Sequence, residues 1–148
     1  MLVKCVQTQG EFVPLVLPVD INLPLGDNNF CSSNEWFTIN SKTSGFNLSY
    51  ERCYRVYGFL IVNGKLRYLI SDNNNIPGFF PDMLFQVVDH SISLEWVFSS
   101  YTSSSNTVFF ISPSDFNSYG DILGIMSSNP YTIRKHIEYR EWLDKWEL

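Results

Sequence analysis

Residues 53–89 read CYRVYGFLIVNGKLRYLISDNNNIPGFFPDMLFQVVD, and the fold follows from them. Tyr54, Val56, Gly58, Leu60 and Val62 alternate with Arg55, Tyr57, Phe59 and Ile61. Asn63-Gly64 then supplies two residues that tolerate positive φ, the requirement of a type I′ hairpin turn. The return strand is predicted over 65–71, with Leu66, Tyr68 and Ile70 on one side and Arg67 and Leu69 on the other. Both faces of this ribbon carry apolar residues, which predicts strands packed on two sides. Asp72-Asn73-Asn74-Asn75 ends the ladder, because Asp and Asn side chains bond their own backbone in turns.

After that loop the order of residues is Gly78, an aromatic, Phe80, Pro81, a short polar step and a returning strand over 84–89. It resembles the closing segment of SH3 domains, in which a short helical turn precedes the last strand. Gly78, Phe80, Pro81 and Phe85 stand where that family keeps turn, core and groove residues. Leu84 replaces its groove tyrosine, and no tryptophan begins the 66–70 strand, so the aromatic walls that hold a polyproline ligand are missing. The resemblance therefore implies an SH3-like barrel without the proline-peptide function. The expected architecture is α+β: an SH3-like twisted antiparallel barrel over about 50–111, with a C-terminal helical segment over about 112–148 packed on it.

The 148 residues suit one domain over 1–148. With 45% hydrophobic and 16% aromatic residues, the core should be built from rings. Net charge of −5 argues against nucleic acid as a partner, since a phosphate-tracking surface needs a basic stripe. An acidic surface would attract a cationic protein, but acidity is more often simply how a cytosolic protein stays soluble. No run approaches the ~20 apolar residues that cross a bilayer, and the first residues lack a secretory pattern, so a cytoplasmic protein with no membrane role is expected. Cys5, Cys31 and Cys53 are odd in number and show no CxxC spacing, which fits reduced thiols.

Outside the hairpin, 2–7 alternates as a strand, 12–19 is an apolar run that Pro14 and Pro18 confine to an edge, 36–39 is strand-like and 42–45 reads as a turn. Residues 93–101 and 107–111 form a second hairpin around a polar loop. Ser112-Pro113-Ser114-Asp115 predicts a short helix start, Gly120 and Gly124 weaken the helix that follows, and Asn129-Pro130 opens a final helix running to about Trp146. At 100° per residue, Tyr131, Tyr139, Trp142, Leu143 and Trp146 share one broad face, predicted to be core.

A thiol-enzyme reading would pair a cysteine with His90 or His136 and a carboxylate such as Asp89. The spacing does not support it: Cys5 and Cys53 are expected to be buried inert thiols, Cys31 the exposed one, and His136 a half-exposed helix residue. No phosphate loop, HExxH or zinc spacing is present, so no catalytic residue, cofactor or metal is assigned.

Tyr54-Arg55-Val56-Tyr57-Gly58, then Arg67-Tyr68-Leu69-Ile70, Pro77-Gly78-Phe79-Phe80-Pro81, Leu84-Phe85-Gln86-Val87-Val88-Asp89, Trp96 with Phe98, and Tyr119-Gly120-Asp121 ahead of Asn129-Pro130 resemble small bacterial cytosolic immunity proteins of polymorphic-toxin and contact-dependent growth-inhibition loci. The resemblance implies a stoichiometric inhibitor that binds a basic cognate toxin domain, without catalysis or cofactor. The alternatives are an adaptor or structural module of a mobile element and a small Cys-dependent enzyme. Strand-end positions suggest a partner-binding rim of Asp72, Asn74, Asp82 and Asp89 with an exposed Phe79 beside it.

Overall fold

The computed structural model describes residues 1–6, 16–18, 30–32, 47–102 and 107–146, of which 16–18, 30–32 and 146 are described by backbone alone. The protein is α+β. Its elements are β1 (Leu2–Cys5), β2 (Val16–Pro18), β3 (Phe30–Ser32), β4 (Cys53–Arg55), β5 (Gly58–Val62), β6 (Lys65–Ser71), β7 (Pro77–Pro81), β8 (Phe85–Asp89), β9 (Trp96–Thr102), β10 (Thr107–Pro113), α1 (Tyr119–Met126) and α2 (Pro130–Trp146). Every strand pair among the described residues is antiparallel, in sheets of order β4-β1-β8, β7-β6-β5-β10-β9 and β2-β3.

The predicted hairpin forms β5 and β6, with Val62 opposite Lys65 and both Asn63 and Gly64 at positive φ (50° and 81°). Its first strand is broken, however. Residues 53–55 pair with β1 in one sheet and 58–62 with β6 and β10 in the other, so the chain steps between sheets at Val56-Tyr57. Gly58 sits just past this step, where a Cβ would meet the Ile111 carbonyl at 3.0 Å. A second crossing follows β7, where the 3-10 turn Asp82–Leu84 sends β8 away from β7 to pair with β1.

These crossings lay the three-stranded sheet over part of the five-stranded one, and two cores result. On one face Leu60, Val62, Leu69, Phe79, Val108 and Phe110 pack against Phe116 and against Tyr119, Ile122, Leu123 and Ile125 of α1. On the other, Tyr68, Ile70 and Phe80 pack against Val3, Cys5, Tyr54 and Leu84, with Phe85 and Val87 partly buried beside them. The doubly apolar ribbon read from the sequence is thus explained by burial on both sides.

The Ser112–Asp115 signal yields a 3-10 turn, Ser114–Phe116, rather than a capped helix, and Ser118 makes the cap instead: its hydroxyl accepts from Asp121 N–H (3.0 Å) and the Asp121 carboxylate accepts from Ser118 N–H (3.2 Å). Gly124 weakens α1 locally but makes room for Thr132 of α2, which a Cβ there would overlap. Lys135 donates to Asp121 at 2.8 Å and ties the two helices further. α2 opens at Asn129, whose side chain accepts from Tyr131 N–H (2.9 Å).

The buried face of α2 differs from the predicted one. Tyr139 and Leu143 pack on the first core, but Tyr131 is 81% exposed and Trp142 is 47% exposed. Their place is taken by His136, 1% exposed and not half-exposed as its sequence position suggested. The rotation is about one residue's worth of helix, which aromatic content alone does not set. The strand-like piece at 36–39, the turn at 42–45, the polar loop at 103–106 and the Trp146 side chain lie outside the described residues.

Candidate protein-binding surface

The expected rim of acids does not assemble. Asp72 follows β6 and Asp82 follows β7; as the two strands are antiparallel, the acids stand beyond opposite ends of β7, roughly 20 Å apart for six residues of extended chain. Asp72 closes a turn, its Oδ1 accepting from the N–H groups of Asn74 (2.8 Å) and Ile76 (3.0 Å), and Asn74 is exposed there. Asp82 is exposed, and its charge acts with the burial of Tyr68, the larger cause, to raise that phenol's pKa. Asp89 ends β8 and accepts from Ser91 N–H at 2.9 Å, a bond that holds its carboxyl below the usual carboxylate range and keeps it ionised at neutral pH.

Phe79 is the clearest correction. It is 4% exposed, its ring meeting Phe110 edge-on at 5.8 Å inside the first core. Phe79 and Phe80 alternate across a strand covered on both sides, so one ring goes to each core and neither is left for a partner.

Of the five residues, Asp89 lines a cavity. A groove of about 400 Å³ opens where β1, the β4–β5 step, the segment after β8 and α2 converge; Arg55, Tyr57, Asp89, Ile92, Trp96 and Leu143 line it. Arg55 reaches Asp144 of α2 at 3.5 Å across this region. A second recess of about 200 Å³ lies between Glu95, Pro113, Ser114, Asp115, Tyr139 and Trp142. Between and beside them the chain from β8 to β9 exposes apolar side chains: Ile92 is 50% exposed and Leu94 wholly so, with Asp89 and Glu95 flanking them and Trp142 exposed beyond. Exposed apolar groups of this size, ringed by acids, have the composition of an interface. Sequence reading misses this segment: Ser91-Ile92-Ser93-Leu94-Glu95 alternates as a strand does and its second half falls in the strand predicted over 93–101, but β9 begins at Trp96 and leaves both aliphatics outside the sheet.

The thiols and histidines are placed apart. Cys5 is buried, as expected, but Cys53 is exposed, because β4 is an outer strand and Tyr54 alone of its three residues turns into the core. Cys31 lies in β3, which is described by backbone alone. His90 is exposed in the loop after β8. His136 contacts the rings of Tyr57 (4.8 Å) and Phe116 (5.6 Å), and its Nε2 stands 3.3 Å from Ser71 Oγ, which in turn accepts from Arg140 (3.1 Å). Nδ1 has no hydrogen-bond partner among the described residues. Burial, with the Arg140 charge second, pushes this imidazole down to about 4, so it is neutral at pH 7.

Among the described residues no cluster of His, Cys, Asp and Glu gathers to hold a metal, and no helix is long and apolar enough to cross a membrane. No protein-family model matches the chain, and neither does a curated protein or a solved structure.

Proposed function

We propose that this chain is a stoichiometric protein-binding protein and, following the resemblance drawn from its sequence, a cytoplasmic immunity protein that captures and blocks a basic toxin domain. The observation that carries the binding reading is the exposed segment between β8 and β9. Ile92 and Leu94 project from it, Asp89 and Glu95 flank them, and Trp142 stands beyond. The acids draw in a cationic partner and speed its capture, while the apolar groups, desolvated on contact, slow its release. The groove beside Asp89 is large enough to receive a partner side chain.

The SH3-like kinship belongs to the same reading. Its support is the 3-10 turn between β7 and β8 together with the departure of β8 to pair with β1. The partner surface then moves from the rim of Asp72, Asn74 and Asp82 to the segment that contains Asp89.

Coexpression with the product of the gene directly upstream, which this reading expects to end in a basic toxin domain, tests this. A one-to-one complex is expected, and Leu94→Asp with Trp142→Ala should weaken it by about 30-fold or more, the effect of losing a hot spot of about 2 kcal/mol. Asp89→Lys with Glu95→Lys should slow association in a salt-dependent way, and Asp72→Lys with Asp82→Lys should change little. Failure of the two chains to copurify, or a complex indifferent to all of the first four substitutions, would overturn the reading.

A further inference from the structure

Among the described residues, β9 alone of the edge strands in the two larger sheets carries no device against pairing. β7 has proline at both ends (Pro77 and Pro81), β4 is three residues long, and β8 carries Asp89 and a register shift against β1. Such features are how proteins blunt a row of unpaired backbone groups. β9 reads WVFSSYT: seven residues without charge, proline or glycine, paired to β10 in unbroken register.

The backbone groups it presents can be assigned. On β10 the Thr107 carbonyl accepts from Asn63 N–H at the β5–β6 turn (3.1 Å), and the Ile111 carbonyl stands against Gly58 of β5. The odd-numbered residues of β10 therefore turn toward β5, leaving Val108, Phe110 and Ser112 to bond Tyr101, Ser99 and Val97 of β9. By alternation, Phe98 and Ser100 turn both N–H and C=O away from the sheet. Their side chains are exposed: Phe98 is 62% exposed, with its ring stacked on half-buried Phe109 at 5.6 Å.

We propose that this edge is closed by a second copy of the same chain, β9 pairing antiparallel with its counterpart about a two-fold axis at Ser99. In that register Phe98 of each copy lies opposite Ser100 of the other, and these two pairs exchange both N–H···O=C bonds. The strand is self-complementary: Phe98 faces Ser100 and Trp96 faces Thr102, each ring opposite a hydroxyl-bearing residue small enough to admit it, while Tyr101 faces Val97. Charge does not oppose the union despite the net −5 of each chain. β9 has none, and the two Glu95 residues fall at opposite ends of the new ribbon, roughly 27 Å apart and beyond the screening length at physiological salt. The product is a continuous sheet with five strands from each copy.

Light scattering behind size exclusion tests this on the purified full-length chain. At tens of micromolar the mass should be twice the 17.2 kDa of one chain. Ser100→Pro removes an N–H that the monomer does not use and should give a monomer at the same concentration. Phe98→Lys with Ser100→Lys, which sets like charges opposite each other, should do the same. Circular dichroism and melting of both variants show whether each remains folded. A wild-type chain that stays monomeric up to a millimolar, or a dimer that survives both folded variants, would overturn the proposal.

Discussion

The two ends of the five-stranded sheet use the same kind of residue in opposite ways. At the β7 end, Phe79 and Phe80 are adjacent and both buried, one in each core. At the β9 end, Phe98 is exposed although it too stands within a regular strand. The difference is not in the strands. It arises from what covers them: α1 lies under β7 and the three-stranded sheet lies over it, whereas Phe98 has the ring of Phe109 for company and an open edge beside it. Apolar surface is thus buried at one end and left exposed at the other.

The largest expected effect separates those ends. Phe79→Ala and Phe80→Ala should each destabilise by about 3–5 kcal/mol, because each leaves a cavity in a packed core, while Phe98→Ala should cost under about 1 kcal/mol in the monomer. Urea titrations at low protein concentration, where a dimer contributes nothing, give the three values. Equal losses at Phe79 and Phe98 would break the contrast.

Next comes His136, beneath the β6 and α2 side of the sheet. Its folded pKa of about 4 lies below the ordinary 6.5, so between those values the unfolded chain binds the proton and the folded chain does not. Stability should therefore fall as pH drops below about 6.5, by about 3 kcal/mol on reaching pH 4. Carboxylates add their own dependence, so the informative quantity is the difference from His136→Gln, which keeps an amide to meet Ser71 but cannot titrate. Parallel pH profiles for the two proteins would show that His136 is not held neutral by burial.

Much of the fold was legible because it depends on short-range chemistry. Asn63-Gly64 demands a turn, Asn129-Pro130 demands a helix start, and the apolar character of both sides of 58–70 demands packing on two sides, although the length of the chain suggested a single core where two form. Residue by residue, the candidate site was less legible. Phe79 looked available because 77–81, with its glycine and two prolines, does not read as a strand, yet it forms β7, an edge of the larger sheet. An edge strand can still be covered on both faces, and that covering is supplied by α1 and β1, tens of residues away. Cys53 looked buried because it heads an apolar strand, yet the crossing at Val56-Tyr57 puts it on an outer strand of the smaller sheet. His136 was misplaced by the rotation of α2, which is decided by the fit of Thr132 against Gly124 rather than by the helix's own apolar stripe.

A smaller effect follows at Cys53. A thiol reagent should modify it rapidly in the native protein with no loss of fold, while Cys5, wholly buried in the second core, should react on the timescale of opening. Slow modification of Cys53 would place β4 deeper than an outer strand.

The claim that the β9 end of the sheet and the segment leading into it are where this chain meets other proteins is tested most directly by backbone hydrogen exchange. The chain would be compared alone at low concentration and in complex with whatever protein copurifies with it on coexpression of the neighbouring upstream gene. Slower exchange on binding is expected over 89–98, with 72–82 unchanged. Protection concentrated at 72–82, with 89–98 exchanging as in the unbound chain, would contradict it and return the interface to the β7 end.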